Sequence, residues 1–127
     1  MFSFVLPMKM ALALALGLLV SCASFRPAAQ DSLVGEWRYA DDTQSCRYVF
    51  KRDGTFTGEV NYRAKLVSKF TGRWAVRGDV LSYNYISDVL GRIRPGAIDH
   101  DKLLSVQKGS FLIEAADGSR RQYLRIR

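Results

Sequence analysis

The stretch Ser45-Cys-Arg-Tyr-Val-Phe50, followed by Lys51-Arg-Asp-Gly54 and Thr55-Phe-Thr-Gly-Glu-Val-Asn-Tyr62, decides the fold of this chain. On both sides of the Asp-Gly pair, apolar or aromatic residues alternate with polar ones. This is the period-two pattern of a β-strand that buries one face. Asp-Gly between two alternating runs is also a strong signal for a tight turn. The stretch therefore predicts an antiparallel hairpin whose strands are residues 45–50 and 55–62.

The same alternation continues on both sides of this hairpin. It predicts further strands at 33–39, 70–76, 80–86, 101–107, 110–115 and 120–126. Segment 63–69 fits either a loop or a short helical turn, and 87–100 is the longest irregular stretch. Strands at this spacing indicate an all-β barrel or sandwich. Because tight turns join nearly all of them, we expect a small antiparallel up-and-down β-barrel of about eight strands, mostly filled and with a shallow pocket at one mouth.

The N-terminal part carries a different signal. An apolar run from Met10 to Val20 is too short to cross a bilayer core but fits a secretory signal. It ends in Leu19-Val-Ser-Cys22, which resembles the lipobox of bacterial lipoproteins. The resemblance implies a cleaved signal helix over 1–21 and acyl chains such as palmitate on Cys22. A flexible tether over 22–32 and a barrel domain over 33–127 would follow.

The resemblance also implies an address. Ala23 follows the cysteine in place of the Asp associated with inner-membrane retention, so we expect an outer-membrane lipoprotein of the bacterial cell envelope that faces the periplasm. An uncleaved anchor and an ordinary secretory signal are the alternatives. Translation starts at Met1 or at Met8, and a start at Met8 would give the more typical signal.

Charge indicates which partners to expect. The whole chain has a formal net charge of +7 at pH 7. Without Lys9 of the signal, the mature part has 18 basic and 12 acidic residues, which gives a net charge of +6. In an envelope protein, such a surface would meet membrane lipid head groups, a small anionic ligand or a partner protein rather than nucleic acid. A simpler interpretation is that the arginines only keep the strand faces soluble. Acylation of Cys22 would leave Cys46 unpaired, so we expect Cys46 to pack as a small apolar side chain.

Several short motifs resemble bacterial lipocalin-like lipoprotein domains. These are Gly35-Glu-Trp37, Phe50-Lys-Arg-Asp-Gly-Thr-Phe56, Gly72-Arg-Trp74 and Gly78-Asp-Val-Leu81. In that superfamily the first Gly-x-Trp closes the base of the barrel, and an arginine of the last strand packs across the tryptophan. The resemblance therefore implies structural roles for Gly35 and Trp37, with Arg121 or Arg125 as the partner.

Binding is better supported than catalysis. The chain has six tyrosines and two tryptophans, and buried tyrosine hydroxyls need polar partners, which a barrel mouth supplies. We predict ligand-binding roles for Trp74, Tyr83 and Tyr85, together with Arg92 and Arg94 of the irregular segment 87–100. The leading hypothesis is a module that binds a small amphipathic or anionic ligand or an envelope partner. The alternative is a structural or interaction protein with a filled barrel and no ligand.

An enzyme is the least favoured class. The one histidine, His100, lies between Asp99 and Asp101, where it could serve a hydrolase as part of an acid–base pair or seed a metal site. No second histidine exists to complete a typical zinc set, and no nucleophile elbow, phosphate-binding loop or metalloprotease motif occurs. We therefore predict no catalytic activity, no bound metal and no cofactor.

Overall fold

The computed structural model describes residues 30–127, so the predicted signal peptide, Cys22 and most of the tether lie outside the described residues. The described part contains eight strands. They are β1 (Gly35–Ala40), β2 (Gln44–Phe50), β3 (Thr55–Tyr62), β4 (Lys65–Arg77), β5 (Val80–Asp88), β6 (Ile98–Val106), β7 (Ser110–Glu114) and β8 (Arg120–Arg125). Each strand pairs antiparallel with the next, and β8 pairs with β1 to close the barrel. The predicted up-and-down barrel is confirmed.

Helix is scarce in this part of the chain. Only residues 30–33 are helical, and no helix within 30–127 has the length and apolar character needed to span a bilayer. Because of this helical turn, β1 begins at Gly35 rather than at the predicted residue 33.

The two ends of the barrel differ. The end we call the base carries the turns 51–54, 78–79 and 107–109, together with the helical turn and the C-terminus. The end we call the mouth carries the turns 41–43, 63–64 and 115–119, and the longer loop 89–97. Every odd-numbered strand therefore runs from base to mouth, and every even-numbered strand returns.

Trp37 and Arg125 close the base. The indole Nε1 of Trp37 donates a hydrogen bond to the Leu33 carbonyl oxygen at 2.9 Å, and Arg125 Cζ lies 4.2 Å from the Trp37 ring centroid. The same guanidinium donates to the carbonyl oxygens of Ser32 at 2.9 Å and Lys108 at 2.7 Å. One arginine therefore joins the chain entry, the tryptophan and the β6–β7 turn through a cation–π contact and hydrogen bonds.

Aromatic rings fill the lower and middle lumen. Phe50 of β2 contacts Trp74 of β4 with ring centroids 4.9 Å apart, and reaches Phe111 of β7 at 6.5 Å. Nearer the mouth than Phe50, the ring of Tyr48 lies 5.8 Å from that of Tyr83 on β5, a strand three positions away around the barrel, and these two rings cover the top of the packed region. Since rings from separate walls touch one another, this part of the interior is packed core rather than open space.

Segment 63–69 belongs to a hairpin. β4 starts at Lys65, and Arg63 and Ala64 form a two-residue turn with φ values of 50° and 64°. Both central residues of a type I′ turn need positive φ, which glycine or asparagine adopts more easily than arginine or alanine. The usual sequence signal for this turn is therefore missing, and pairing with β3 imposes the conformation.

Candidate ligand site at the barrel mouth

Strand alternation divides the Asp99-His100-Asp101 triplet between two faces. The triplet lies within β6, where Asp99 stands opposite the buried Tyr83 and His100 stands opposite Ser82. Directly opposed residues share a face, so the two aspartates are on the inner face and His100 is on the outer face. His100 Nδ1 lies 3.1 Å from the Ser82 Oγ. The histidine is thus turned away from both carboxylates, which is unfavourable for an acid–base pair.

A set of polar side chains lines the upper part of the inner face. This mouth cluster comprises Cys46 and Tyr48 of β2, Tyr83 and Tyr85 of β5, Asp101 of β6, and Arg121 and Tyr123 of β8. Their placement follows from the period of two, because each is two or four residues along its strand from a core side chain. The cluster brings hydroxyl, thiol, carboxyl and guanidinium groups together at one end of the barrel.

The four tyrosines of the cluster remain neutral phenols. Burial raises the pKa of Tyr48 and of Tyr83 well above the ordinary value of 10.0. Burial likewise raises the pKa of Tyr85 and of Tyr123. A neutral phenol both donates and accepts a hydrogen bond, so these groups offer hydrogen bonds rather than charge to a ligand.

Asp101 and Arg121 are the charged residues of the mouth cluster. Burial raises the pKa of Asp101, the nearby Asp99 raises it further, and the Tyr83 hydroxyl and Arg121 oppose the shift. The half-buried Arg121 lies with its Cζ 5.8 Å from the Tyr39 ring centroid. Within residues 30–127, the ion pairs closer than 4 Å do not include one between Asp101 and Arg121. Each therefore remains able to contact a polar ligand.

The Cys46 side chain points inward from β2 near the mouth. The residue is 2% exposed, and the side-chain nitrogen of Gln44 lies 3.5 Å from its Sγ. Burial raises the thiol pKa, so the group is a thiol rather than a thiolate. Its packing agrees with the expected small apolar side chain and gives no sign of a reactive cysteine.

Asp88 shapes the loop beside the mouth. Its carboxylate accepts hydrogen bonds from the Ser68 hydroxyl at 2.7 Å and from the backbone N–H groups of Lys69, Leu90, Arg92 and Ile93. Burial alone would raise the pKa of Asp88, but these hydrogen bonds together lower it to about 2. Sequence reasoning missed this residue, although an aspartate just before a loop is a common turn former.

The structure separates the predicted ligand-binding residues into three places. Tyr83 and Tyr85 belong to the mouth cluster, with ring centroids 6.2 Å apart. Trp74 stands opposite Tyr83 but lies toward the base, where its Nε1 donates to the Lys51 carbonyl oxygen at 2.9 Å. Arg92 and Arg94 are exposed on the loop 89–97.

Five members of the mouth cluster were not predicted as ligand-binding residues: Cys46, Tyr48, Asp101, Arg121 and Tyr123. Arg121 was expected as a partner for Trp37, but Arg125 takes that position and Arg121 lies at the mouth. Arg121 and Arg125 are four residues apart on β8, so both face inward at different heights. The sequence did offer a signal for Arg121, because residues two apart on a strand share a face and Tyr123 is a strong candidate for the core.

The comparisons with known proteins show the fold. No protein-family model matches the chain, and no curated protein matches it. Among solved structures it is similar to a lipocalin-like protein from Bacteroides uniformis ATCC 8492, determined by crystallography at 1.79 Å. The match has a TM-score of 0.56 and 18% sequence identity, and covers 75% of this chain and 99% of that one. This likeness and the closed eight-stranded sheet show that the chain folds as a lipocalin-like β-barrel.

Proposed function

We propose that the protein is a lipid-anchored lipoprotein of the bacterial cell envelope whose barrel binds a small amphipathic or anionic ligand at its mouth. The observation that carries the binding proposal is the mouth cluster, in which phenol groups from three strands surround Asp101 and Arg121. Polar groups converging at one end of an otherwise aromatic interior are typical of a ligand site. The packed rings of Phe50, Trp74 and Phe111 below the cluster favour a shallow site over a deep one.

The chemistry of the cluster indicates the kind of ligand. Arg121 would hold an anionic group such as a carboxylate, and the phenols of Tyr48, Tyr85 and Tyr123 would supply neutral hydrogen bonds. The apolar part of an amphipathic ligand would contact the half-buried Ile93 and Ala97, which pack against the core beside the mouth. Binding of this kind needs no cofactor and no catalytic group.

Ligand binding is tested with the full chain produced in its own bacterial host and extracted in a neutral detergent. Native mass spectrometry should show a co-purifying small molecule on the wild type, and Arg121→Gln should reduce its occupancy at least tenfold. Arg38→Gln removes the same charge from an exposed position of β1 and should leave the occupancy unchanged. Equal occupancy in all three proteins would refute the mouth site.

A filled structural barrel is the second candidate. The ring contacts between walls favour it, because a lumen occupied by Phe50, Trp74 and Phe111 leaves little room below the mouth. In that case the wild type would carry no small molecule, and affinity purification would recover an envelope protein whose binding is insensitive to Arg121→Gln.

The anchor is tested separately. The lipobox resemblance supports acylation at Cys22, and the chain supplies its own matched control in its other cysteine. Metabolic labelling with a palmitate analogue should mark the wild type and Cys46→Ser, and should not mark Cys22→Ser. Fractionation of the labelled cells should place the protein in the outer membrane. Label on Cys22→Ser, or none on the wild type, would contradict the anchor.

A further inference from the structure

A basic groove lies on the outer face of the barrel, separate from the mouth. This β4–β6 groove has a volume of about 600 Å³. Its lining includes the small residues Ala75 and Ser82 and the larger Arg73, Arg77 and His100. Arg73, Ala75, Arg77 and Ser82 point outward because they alternate with buried residues of β4 and β5, and His100 of β6 stands opposite Ser82 on the same face. The two small side chains leave a depression between the longer ones.

Two arginines of the groove, Arg73 and Arg77, stand outside the ion pairs of the described residues. Elsewhere on the outer face, Arg47 forms an ion pair with Glu36, and Arg120 pairs with Glu114 at 3.7 Å. Among the ion pairs of residues 30–127, none within 4 Å involves Arg73 or Arg77. Arg73 and Arg77 lie four residues apart on β4 with the small Ala75 between them, and guanidinium groups bind oxyanions through parallel hydrogen bonds.

Local acids offset only part of this charge. Asp53 also lines the groove, where hydrogen bonds from the Thr55 hydroxyl and N–H, at 2.6 and 2.9 Å, lower the pKa of its carboxyl and the charges of Lys51 and Arg73 lower it further. Arg52 contacts Asp31 at 3.4 Å in an exposed pair. The Ser82 hydroxyl and the His100 ring, 3.1 Å apart, add hydrogen-bonding groups to the basic lining. The groove thus combines charge with neutral donors, as phosphate sites do.

The distance along the chain from Cys22 to the groove indicates where a phosphate ligand for the groove would come from. Gln30 lines the groove, and its Oε1 accepts a hydrogen bond from the Val76 N–H at 3.2 Å. Seven residues lie between Cys22 and Gln30, and the eight Cα–Cα steps that join them span no more than about 29 Å when fully extended. Acyl chains on Cys22 would therefore hold the groove close to the head groups of the same membrane.

We propose that the β4–β6 groove binds the phosphate of an anionic membrane lipid and so orients the base of the barrel toward the bilayer. The choice of a membrane lipid as the ligand rests on the acylation of Cys22 proposed above. The match between the basic groove and a phosphate group does not depend on it. The mouth would then face away from the membrane, toward the aqueous compartment. A ligand could enter the mouth cluster without leaving solution.

The test uses the full chain in lipid nanodiscs, with acylation of each sample verified by intact mass. The melting temperature is compared between discs of phosphatidylcholine alone and discs of equimolar phosphatidylcholine and phosphatidylglycerol. We expect a rise of about 6–11 °C in the anionic discs, corresponding to a lipid concentration about ten times the dissociation constant of the site. Amide hydrogen exchange should slow in residues 73–77 of β4 and 98–102 of β6 under the same conditions.

Three variants decide whether the groove is responsible. Arg73→Gln/Arg77→Gln should abolish the rise, and Ser82→Leu should do so without changing charge because it fills the floor. Arg92→Gln/Arg94→Gln removes equal charge at the mouth and should retain the rise. An equal rise in every variant would overturn the proposal in favour of diffuse attraction. A rise produced by inorganic phosphate in neutral discs, with none from phosphatidylglycerol, would overturn the lipid assignment. If intact mass shows no acyl group on Cys22 while the melting temperature still rises in the anionic discs, the anchor is refuted and the groove proposal is not.

Discussion

At the scale of single residues, Arg125 makes the largest set of contacts at the base. It lies over Trp37 and donates hydrogen bonds to the Val34 carbonyl oxygen at 3.0 Å and to two further carbonyl oxygens. Gly35 makes this approach possible, since its φ is 145° and a Cβ there would overlap Arg125 Nη1. The base is therefore a single unit in which the glycine, the tryptophan and the arginine depend on one another.

Removing that arginine should weaken the fold. Arg125→Ala should lower the free energy of unfolding by about 2 kcal/mol, because it deletes a cation–π contact and the charge-assisted hydrogen bonds to the Val34, Ser32 and Lys108 carbonyl oxygens. Urea denaturation followed by tryptophan fluorescence measures the change. Arg38→Ala, on the exposed face of β1, should change stability by less than about 0.5 kcal/mol. Equal losses in the two variants would show that the contact with Trp37 is unimportant.

The buried carboxylate of Asp101 should lower the free energy of unfolding of the barrel when it is ionised. Burial raises its pKa, so the unfolded chain ionises first as pH rises above the ordinary value of 3.8. The destabilisation is absent below about pH 4 and present at pH 7. Asp101→Asn should therefore raise the melting temperature at pH 7 and leave it nearly unchanged at pH 3.5. A lower melting temperature at pH 7 would mean that Asp101 is held by stabilising contacts instead.

At the scale of elements, the β3–β4 hairpin contains a turn that its sequence does not favour. Arg63 and Ala64 both have positive φ, and for a residue with a Cβ this costs on the order of 1 kcal/mol. Arg63 Cζ lies 5.4 Å from the Tyr62 ring centroid, so the arginine has a contact that alanine lacks. Long-range pairing of β3 and β4 holds the turn despite its composition.

The alanine is the better position to change. Ala64→Gly should raise the free energy of unfolding by about 0.5–1 kcal/mol, because glycine adopts positive φ without strain. Thermal denaturation monitored by circular dichroism would detect the increase. Ala116→Gly alters an exposed turn residue whose φ is not positive, and should be neutral or destabilising. A gain at residue 116 and none at residue 64 would contradict the assigned turn.

The loop 89–97 is an element organised by one carboxylate. The pKa of Asp88 is about 2 in the folded chain and 3.8 in the unfolded chain. The stabilisation is therefore present above about pH 4 and lost as pH falls through 2. Stability should fall across this window in the wild type and less steeply in Asp88→Asn. Ser68→Ala removes one hydrogen-bond donor and should give an intermediate slope. Identical slopes in urea titrations of all three proteins would refute the role of Asp88.

At the scale of the whole molecule, the barrel has two ends with different chemistry and an outer groove near one of them. The base is closed by Trp37 and Arg125, and the mouth carries the tyrosines with Asp101 and Arg121. The basic groove begins beside Gln30 at the base. If both proposals hold, the membrane contact and the ligand site lie at opposite ends, so that anchoring would not obstruct binding.

The sequence by itself determined the strand content, the turns and the barrel class, because alternation and Asp-Gly turns are local properties. The two turns containing Asp53-Gly54 and Asp117-Gly118 form as this chemistry predicts, with glycine φ values of 88° and 85°. The lipobox also rests on sequence alone, since Cys22 lies outside the described residues.

Only the tertiary structure decided which residues meet inside the barrel. It placed Arg125 rather than Arg121 over Trp37, turned His100 away from its flanking aspartates, and brought Asp101 near tyrosines of β2, β5 and β8. These contacts depend on the register of strands far apart in the chain, and shifting a strand by one residue would move its whole inward set to the outer face. Local pattern predicts which residues alternate, but register and closure determine their neighbours.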